Sequence, residues 1–130
     1  MRKISLLLGA SLLGMAMLFL SGCSGVSDDW ENTCKNGISK DVVGACTSLI
    51  ESRKLDGEDL AEAYVNRGNA YRNMRQFAQA IQDYDQALKL NPEDAETFYN
   101  RGAAKKAIGD EAGGEADMKK SRELNPEIGV

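Results

Sequence analysis

The 130-residue chain contains no histidine at all. The commonest general base and the imidazole metal ligand are therefore missing. A basic excess is missing too, since 16 lysines and arginines face 20 carboxylates. Beyond Arg2-Lys3 at the start, cations adjoin only in pairs, Arg53-Lys54, Lys105-Lys106 and Lys119-Lys120. Such pairs suit solvated helix faces and make no stripe that could follow a phosphate backbone, which excludes nucleic acid as a partner. Gly113-Gly114 and the two Asn-Arg-Gly triplets lack the spacing of a phosphate-binding loop. Carboxylates are plentiful, yet Asp83, Asp85, Asp117 and Glu123 fall on helix faces with lysine or arginine nearby, the pattern of solvated surface charge. The chain is accordingly expected not to be an enzyme and to hold no metal and no cofactor.

What is present begins with a leader. Arg2 and Lys3 are cationic, Ile4 to Leu20 is apolar apart from small Gly, Ala and Ser, and mostly small residues follow up to Cys23. That is the anatomy of a secretory signal. A membrane-spanning helix is the competing reading, because the run is near the lower end of the ~17–25 residues a span needs. The stretch Leu20-Ser21-Gly22-Cys23 resembles the lipobox of bacterial lipoproteins, whose signal peptidase cuts before a cysteine that has been acylated. The resemblance implies removal of residues 1–22, palmitate-type acylation of Cys23, and a lipid-carrying tether over 23–29. Each buried CH₂ contributes about 0.8 kcal/mol, so such an anchor would not leave its bilayer. Ser24 in place of Asp, by the same resemblance, suggests the outer membrane, with the protein facing the periplasm. Loss of residues 1–22 removes Arg2 and Lys3 and moves the net charge from −4 to near −6.

Three cysteines are present, and lipidation of Cys23 would leave Cys34 and Cys46 as an even pair in an oxidising compartment. A disulfide is the natural reading. A metal site competes with it, but two thiols without histidine fall short of the usual four ligands.

Residues 61–94 and 95–128 align as a repeat. Ala61-Glu62, Asn66-Arg67-Gly68, Ala70, Ala78, Asp83 and Leu90-Asn91-Pro92-Glu93 return 34 positions later as Ala95-Glu96, Asn100-Arg101-Gly102, Ala104, Ala112, Asp117 and Leu124-Asn125-Pro126-Glu127. With Tyr64, Gly68, Tyr71, Ala80, Tyr84, Ala87 and Pro92 at their offsets, the unit resembles the tetratricopeptide repeat, a helix-turn-helix whose copies stack into a solenoid. Gly68 and Ala80 would let the two helices approach closely, with Tyr64, Tyr71, Ile81, Tyr84 and Leu88 around the contact. Ala80, Ile81, Tyr84, Ala87 and Leu88 follow the stripe of an amphipathic helix, and Asn91-Pro92 ends it. In the second unit Gly113, Gly114, Met118, Ser121 and Arg122 replace that pattern. The last helix is then either a wettable C-terminal cap or a fraying one.

Extended backwards onto 27–60, the register puts Trp30 at the place of Tyr64, Cys34 at that of Gly68 and Cys46 at that of Ala80. Those positions are where the helices of a repeat touch, within the ~4.4–6.8 Å Cα reach of a disulfide. Residues 30–57 are therefore expected to form a divergent, disulfide-linked hairpin, with Lys35 to Ser39 as its turn and Ile38, Val42, Val43, Leu49 and Ile50 as its core. The fold class is all-α, a short solenoid of three stacked hairpins with about six helices.

Arg67 and Asp83 are 16 residues apart, as are Arg101 and Asp117. Antiparallel helices would bring each arginine to its aspartate as a structural ion pair, with ligand contact as the alternative. The resemblance also implies a concave groove lined by the first helix of each unit, here Glu62, Val65, Asn66, Asn69, Arg72 and Asn73, then Glu96, Tyr99, Asn100, Ala103, Lys106 and Ala107. Asn69 and Asn100 stand where the family's carboxylate-clamp members hold a peptide C-terminus, but Val65 replaces the accompanying lysine. The groove is read as a site for a protein or peptide partner, against the alternative of a solvated surface. The function expected is a lipid-anchored scaffold in assembly of an envelope, secretion or pilus complex, with a subunit docking an envelope enzyme such as a peptidoglycan hydrolase as the other candidate. Edge-to-edge stacking of repeats into a homo-oligomer would lengthen the groove.

Because the thiol is the acyl acceptor that the lipobox requires, Cys23→Ala is expected to accumulate as uncleaved, unacylated precursor. Mass spectrometry and membrane fractionation check this, and mature-sized Cys23→Ala in the outer membrane would refute it.

Overall fold

The computed structural model describes residues 24–130, with side chains from Asp29 onward. Among these residues there are six helices and no strand: α1 (Ser24–Asn36), α2 (Ser39–Ser52), α3 (Gly57–Asn73), α4 (Phe77–Leu90), α5 (Ala95–Ala107) and α6 (Glu111–Leu124). None of them is long and apolar enough to cross a membrane. Cys23 and the leader lie outside the described residues, and α1 takes up most of the stretch read as the tether.

Consecutive helices pair as α1/α2, α3/α4 and α5/α6, and each hairpin stacks on the next through α2 on α3 and α4 on α5. The first helices also meet along one side, α1 with α3 and α3 with α5, which makes them a continuous wall. Local chemistry sets the helix limits. Asp94 accepts hydrogen bonds from the Glu96 and Thr97 amides and starts α5, while Asp110 does the same for the Gly113 amide and starts α6. At the other end of α4, Asn91-Pro92 stops the helix because proline offers no N–H and restricts its predecessor.

Two apolar clusters hold the stack. Cys34, Val42, Ala45, Cys46, Leu49, Ala63 and Ala70 join the first hairpin to α3. Ala80, Tyr84 and Ala104, flanked by Tyr71, Phe77 and Ile81, join the second hairpin to α5. Cys34 and Cys46 are bonded, with their Cα atoms 4.9 Å apart. The loop they close contributes about 3 kcal/mol in the chain-entropy account. The first hairpin differs from expectation at Ile38, which is 75% exposed and outside the core. Helix α1 continues through Asn36, so the turn is shorter than Lys35 to Ser39. Ile38 becomes the extended N-cap of α2, where its carbonyl accepts from the Asp41 and Val42 amides and its side chain leaves the hairpin. Ala45 fills the core in its stead.

The glycines of the last hairpin have a packing role that their helix propensity hides. A Cβ on Gly102 would stand 2.8 Å from the Gly114 carbonyl oxygen, and one on Gly114 would stand 2.8 Å from the Gly102 carbonyl oxygen. Backbone meets backbone there, where the preceding hairpin uses Gly68 against Tyr84. Helix α6 runs from Glu111 to Leu124 in spite of Gly113 and Gly114.

Gly102→Ala is therefore expected to lower stability by about 1–3 kcal/mol, as overpacking against an unyielding backbone does. Gly44→Ala, where an added Cβ meets nothing within 4 Å inside α2, is expected to raise it by roughly 0.5–1 kcal/mol. Thermal unfolding followed by circular dichroism checks both, and shifts of the same sign would contradict the packing described.

Candidate functional site

Two arginines are fixed before any groove can form. The Arg67 Nε and Nη2 donate to the Asp83 carboxylate at 2.8 and 2.7 Å, and its Nη1 donates to Thr47 Oγ1 on α2 at 2.9 Å. Arg101 repeats the arrangement, with Nε and Nη2 to Asp117 at 2.8 and 2.7 Å and Nη1 to Asp85 on α4 at 2.6 Å. Each guanidinium also stands over the aromatic ring one turn earlier, Tyr64 at 5.6 Å and Phe98 at 5.4 Å. Lys105 adds a contact of 2.8 Å to Asp117. These groups are structural: each arginine ties both helices of its own hairpin to the second helix of the hairpin before. The sequence offered Arg67 with Asp83 and Arg101 with Asp117, whereas Thr47 and Lys105 have no polar counterpart at the 34-residue distance.

Hydrogen bonds to their aspartates raise the pKa of Arg67 and Arg101 against the opposing effect of burial. At Asp117 burial alone would raise the carboxyl, but hydrogen bonds from Arg101 and Lys105 outweigh it and hold it below its ordinary 3.8. Burial pushes the Tyr84 hydroxyl up to about 12, so it remains a hydrogen-bond donor.

The wall of first helices brings together most of the residues expected to line a groove. Glu62, Asn73, Glu96 and Ala107 are exposed, while Val65, Asn66, Asn69, Arg72, Tyr99, Ala103 and Lys106 are half-buried. Asn100 departs from expectation, being only 6% exposed. Its Oδ1 accepts from Arg72 Nη1, which links α3 to α5 across the wall. Asn69 is likewise engaged from below, since the Tyr84 hydroxyl donates to its Oδ1 at 2.7 Å. Tyr99 is less open than the sequence suggested. The backbone of Gly129, in left-handed conformation with φ of 79°, lies against its ring. At the rims, Lys35 reaches Glu62 at 3.7 Å, and Lys106 turns away towards Glu111 and Glu115 on α6 at 3.5 and 3.6 Å. Beyond Asn69 and Asn73 the wall opens into a pocket bounded by Lys35, Gly37, Ser39 and Val42 at the α1–α2 turn. Among the described residues no group of three or more Cys, Asp or Glu could hold a metal ion.

The family model of the tetratricopeptide repeat matches residues 61–94. Those residues are a tetratricopeptide repeat. The chain is 33% identical over 97 residues to human "Sperm-associated antigen 1", which covers 75% of this chain and 10% of that protein. It is 30% identical over 77 residues to "Hsp70-Hsp90 organizing protein" of Triticum aestivum, covering 59% of this chain and 13% of that protein. The chain thus spans about a tenth of the curated relatives it matches. Among solved structures it is similar to the first TPR of Spaghetti (RPAP3) bound to the HSP90 peptide SRMEEVD, with TM-score 0.66 and 22% identity over 79% of each chain. The all-α tetratricopeptide fold follows from that likeness.

The depressed carboxyl of Asp117 sets a sign for acid stability. Its contribution is complete above the ordinary 3.8 and is lost as the pH falls through the lower folded value. Melting temperature is expected to drop below about pH 4 in the wild type. In Asp117→Asn, destabilised by about 1–3 kcal/mol because Arg101 and Lys105 lose their shared buried carboxylate, that drop should be shallower. An equal slope in both proteins would show that Asp117 is not the group responsible.

Proposed function

We propose that this protein is a lipid-anchored scaffold of the bacterial envelope that holds an extended protein segment along the wall made by α3 and α5. The observation that carries the reading is the side-by-side display of Val65, Asn69, Arg72, Asn73, Ala103 and Tyr99 on that wall, with the two deep asparagines fixed by internal hydrogen bonds. A surface already ordered loses little further freedom on binding, which favours capture of a flexible segment. Support also comes from the neighbouring tetratricopeptide structure, which holds an HSP90 peptide. The lipobox, with Cys23 as acyl acceptor, supports attachment to the outer membrane facing the periplasm. Assembly of an envelope, secretion or pilus complex is the setting that fits an anchored module lacking catalytic groups. The short wall would favour a second contact, and a homo-oligomer stacked end to end is one way to provide it.

Photo-crosslinking amino acids placed at Asn73 and Ala103 are expected to capture a partner in living cells, while the same groups at Gln86 and Lys119 on the second helices are not. Tyr99→Ala should weaken capture by about 1–3 kcal/mol if the ring is a binding hot spot. Capture from Gln86 and Lys119 alone would move the binding surface to the opposite face. A captured peptidoglycan hydrolase would instead make the protein an accessory subunit of that enzyme.

A further inference from the structure

Arg72 is the one groove arginine whose polar partner in the structure is a neutral amide. Arg67 and Arg101 each hold carboxylates, whereas no carboxylate among the described residues lies within ion-pair reach of Arg72. Its Nη1 donates to Asn100 Oδ1, and its charge is felt at the Tyr84 hydroxyl, so Arg72, Asn69 and Tyr84 are near neighbours. The hydrogen-bond arithmetic around it is one-sided. Asn100 gives its oxygen to Arg72 and Asn69 gives its oxygen to Tyr84. The groups left over directly beside Arg72 are therefore donors: its own remaining guanidinium N–H groups and the amide NH₂ groups of Asn69 and Asn100. A half-buried cation with donors beside it and no carboxylate within ion-pair distance is completed by an anion, and a planar carboxylate matches the guanidinium fork.

We propose that Arg72, held by Asn100 and flanked by Asn69, is the anchor for the carboxylate of an aspartate or glutamate internal to the partner segment. The inference rests on the reading of the wall as a peptide-binding groove. An internal side chain is favoured over a chain terminus because the wall continues on both sides of Arg72. One way lies the pocket at Lys35, Gly37 and Val42, and the other way lie Ala103 and Tyr99. Val65, where a terminal carboxylate would want a cation, is apolar. Glu62 in the second turn of α3 and Glu96 in the first turn of α5 repel further acidic residues near that rim, so a single acidic anchor suits the site better than an acidic run.

The test uses the detergent-solubilised full chain on an array of nonapeptides acetylated and amidated at their ends. Retained peptides are expected to carry a central aspartate or glutamate. Changing that residue to its amide should weaken binding roughly tenfold or more, the effect of one charge-assisted hydrogen-bonded pair. In Arg72→Gln the acidic and amide peptides should bind alike, within about threefold, while Arg72→Lys should retain part of the discrimination. Equal binding of acidic and amide peptides by the wild type would overturn the proposal. So would equal loss of both peptides in Arg72→Gln, or retention only of peptides with a free terminal carboxylate. Binding that falls in Tyr99→Ala and Asn73→Ala but not in Arg72→Gln rejects the anchor and keeps the groove. Binding insensitive to all three, or no retained peptide, rejects the groove and the anchor with it.

Discussion

Two guanidinium groups, Arg67 and Arg101, stand where three helices must agree, and the register of the stack depends on them. Each fork is shared between an aspartate on the second helix of its own hairpin and an acceptor on the hairpin before, Thr47 in one case and Asp85 in the other. The side chains of Arg67 and Asp83 are 17% and 6% exposed, so neither charge could be left there alone without a large desolvation cost. A leucine in the same place would bury more comfortably and tolerate a slide of the neighbouring helix. The arginine does not tolerate it, because its donors are directional. The two pairs therefore act as pins that select one stacking register.

That pinning needs the helices to be close, and small residues provide the distance. Tyr84 packs over Gly68 in one hairpin, and in the next the backbones of Gly102 and Gly114 face each other with Met118 beside them. The outer positions of α6 are lysine, arginine and glutamate, while Ser121 turns inward to donate to the Ala95 carbonyl at 2.7 Å. A serine where the previous unit has alanine is then a fastening for α5. The polar last helix and its twin glycines are one adaptation, a hairpin closed through backbone contact and hydrogen bonds because its bulky apolar residues are gone.

The reach of the sequence ended where periodicity ended. A 34-residue recurrence fixes which helix and which face a residue occupies, so the hairpins, the wall of first helices and the paired Arg and Asp could be placed without coordinates. Thr47 and Lys105 could not, because neither has a polar counterpart at the repeat distance, and Asp85 could not, because its counterpart Glu51 yields to Thr47 as the partner of Arg67. Ile38 reads as core in the sequence because an apolar residue beside a turn does so until the length of the turn is known, and in the fold it is exposed. Asn100 and Tyr99 are subtler. The register put both on the concave face, but whether a side chain there points into the groove depends on what reaches it. Arg72 draws Asn100 inward, and the Gly129 backbone lies on Tyr99.

Arg72 and Lys106 occupy the same place in their two units and behave differently for a reason that lies one helix away. Lys106 faces α6, whose first turns supply Glu111 and Glu115, and the lysine leans to them. At the places of Glu111 and Glu115 the preceding unit has Phe77 and Ile81, so no acid stands there for Arg72, and its guanidinium reaches across the wall to the Asn100 amide. Repeats that share a backbone thus distribute charge unequally through the residues of their second helices. One groove cation is neutralised within the chain and the other is left with donors to spare, so the electrostatic asymmetry of the wall is set by α4 and α6 rather than by the helices that line it.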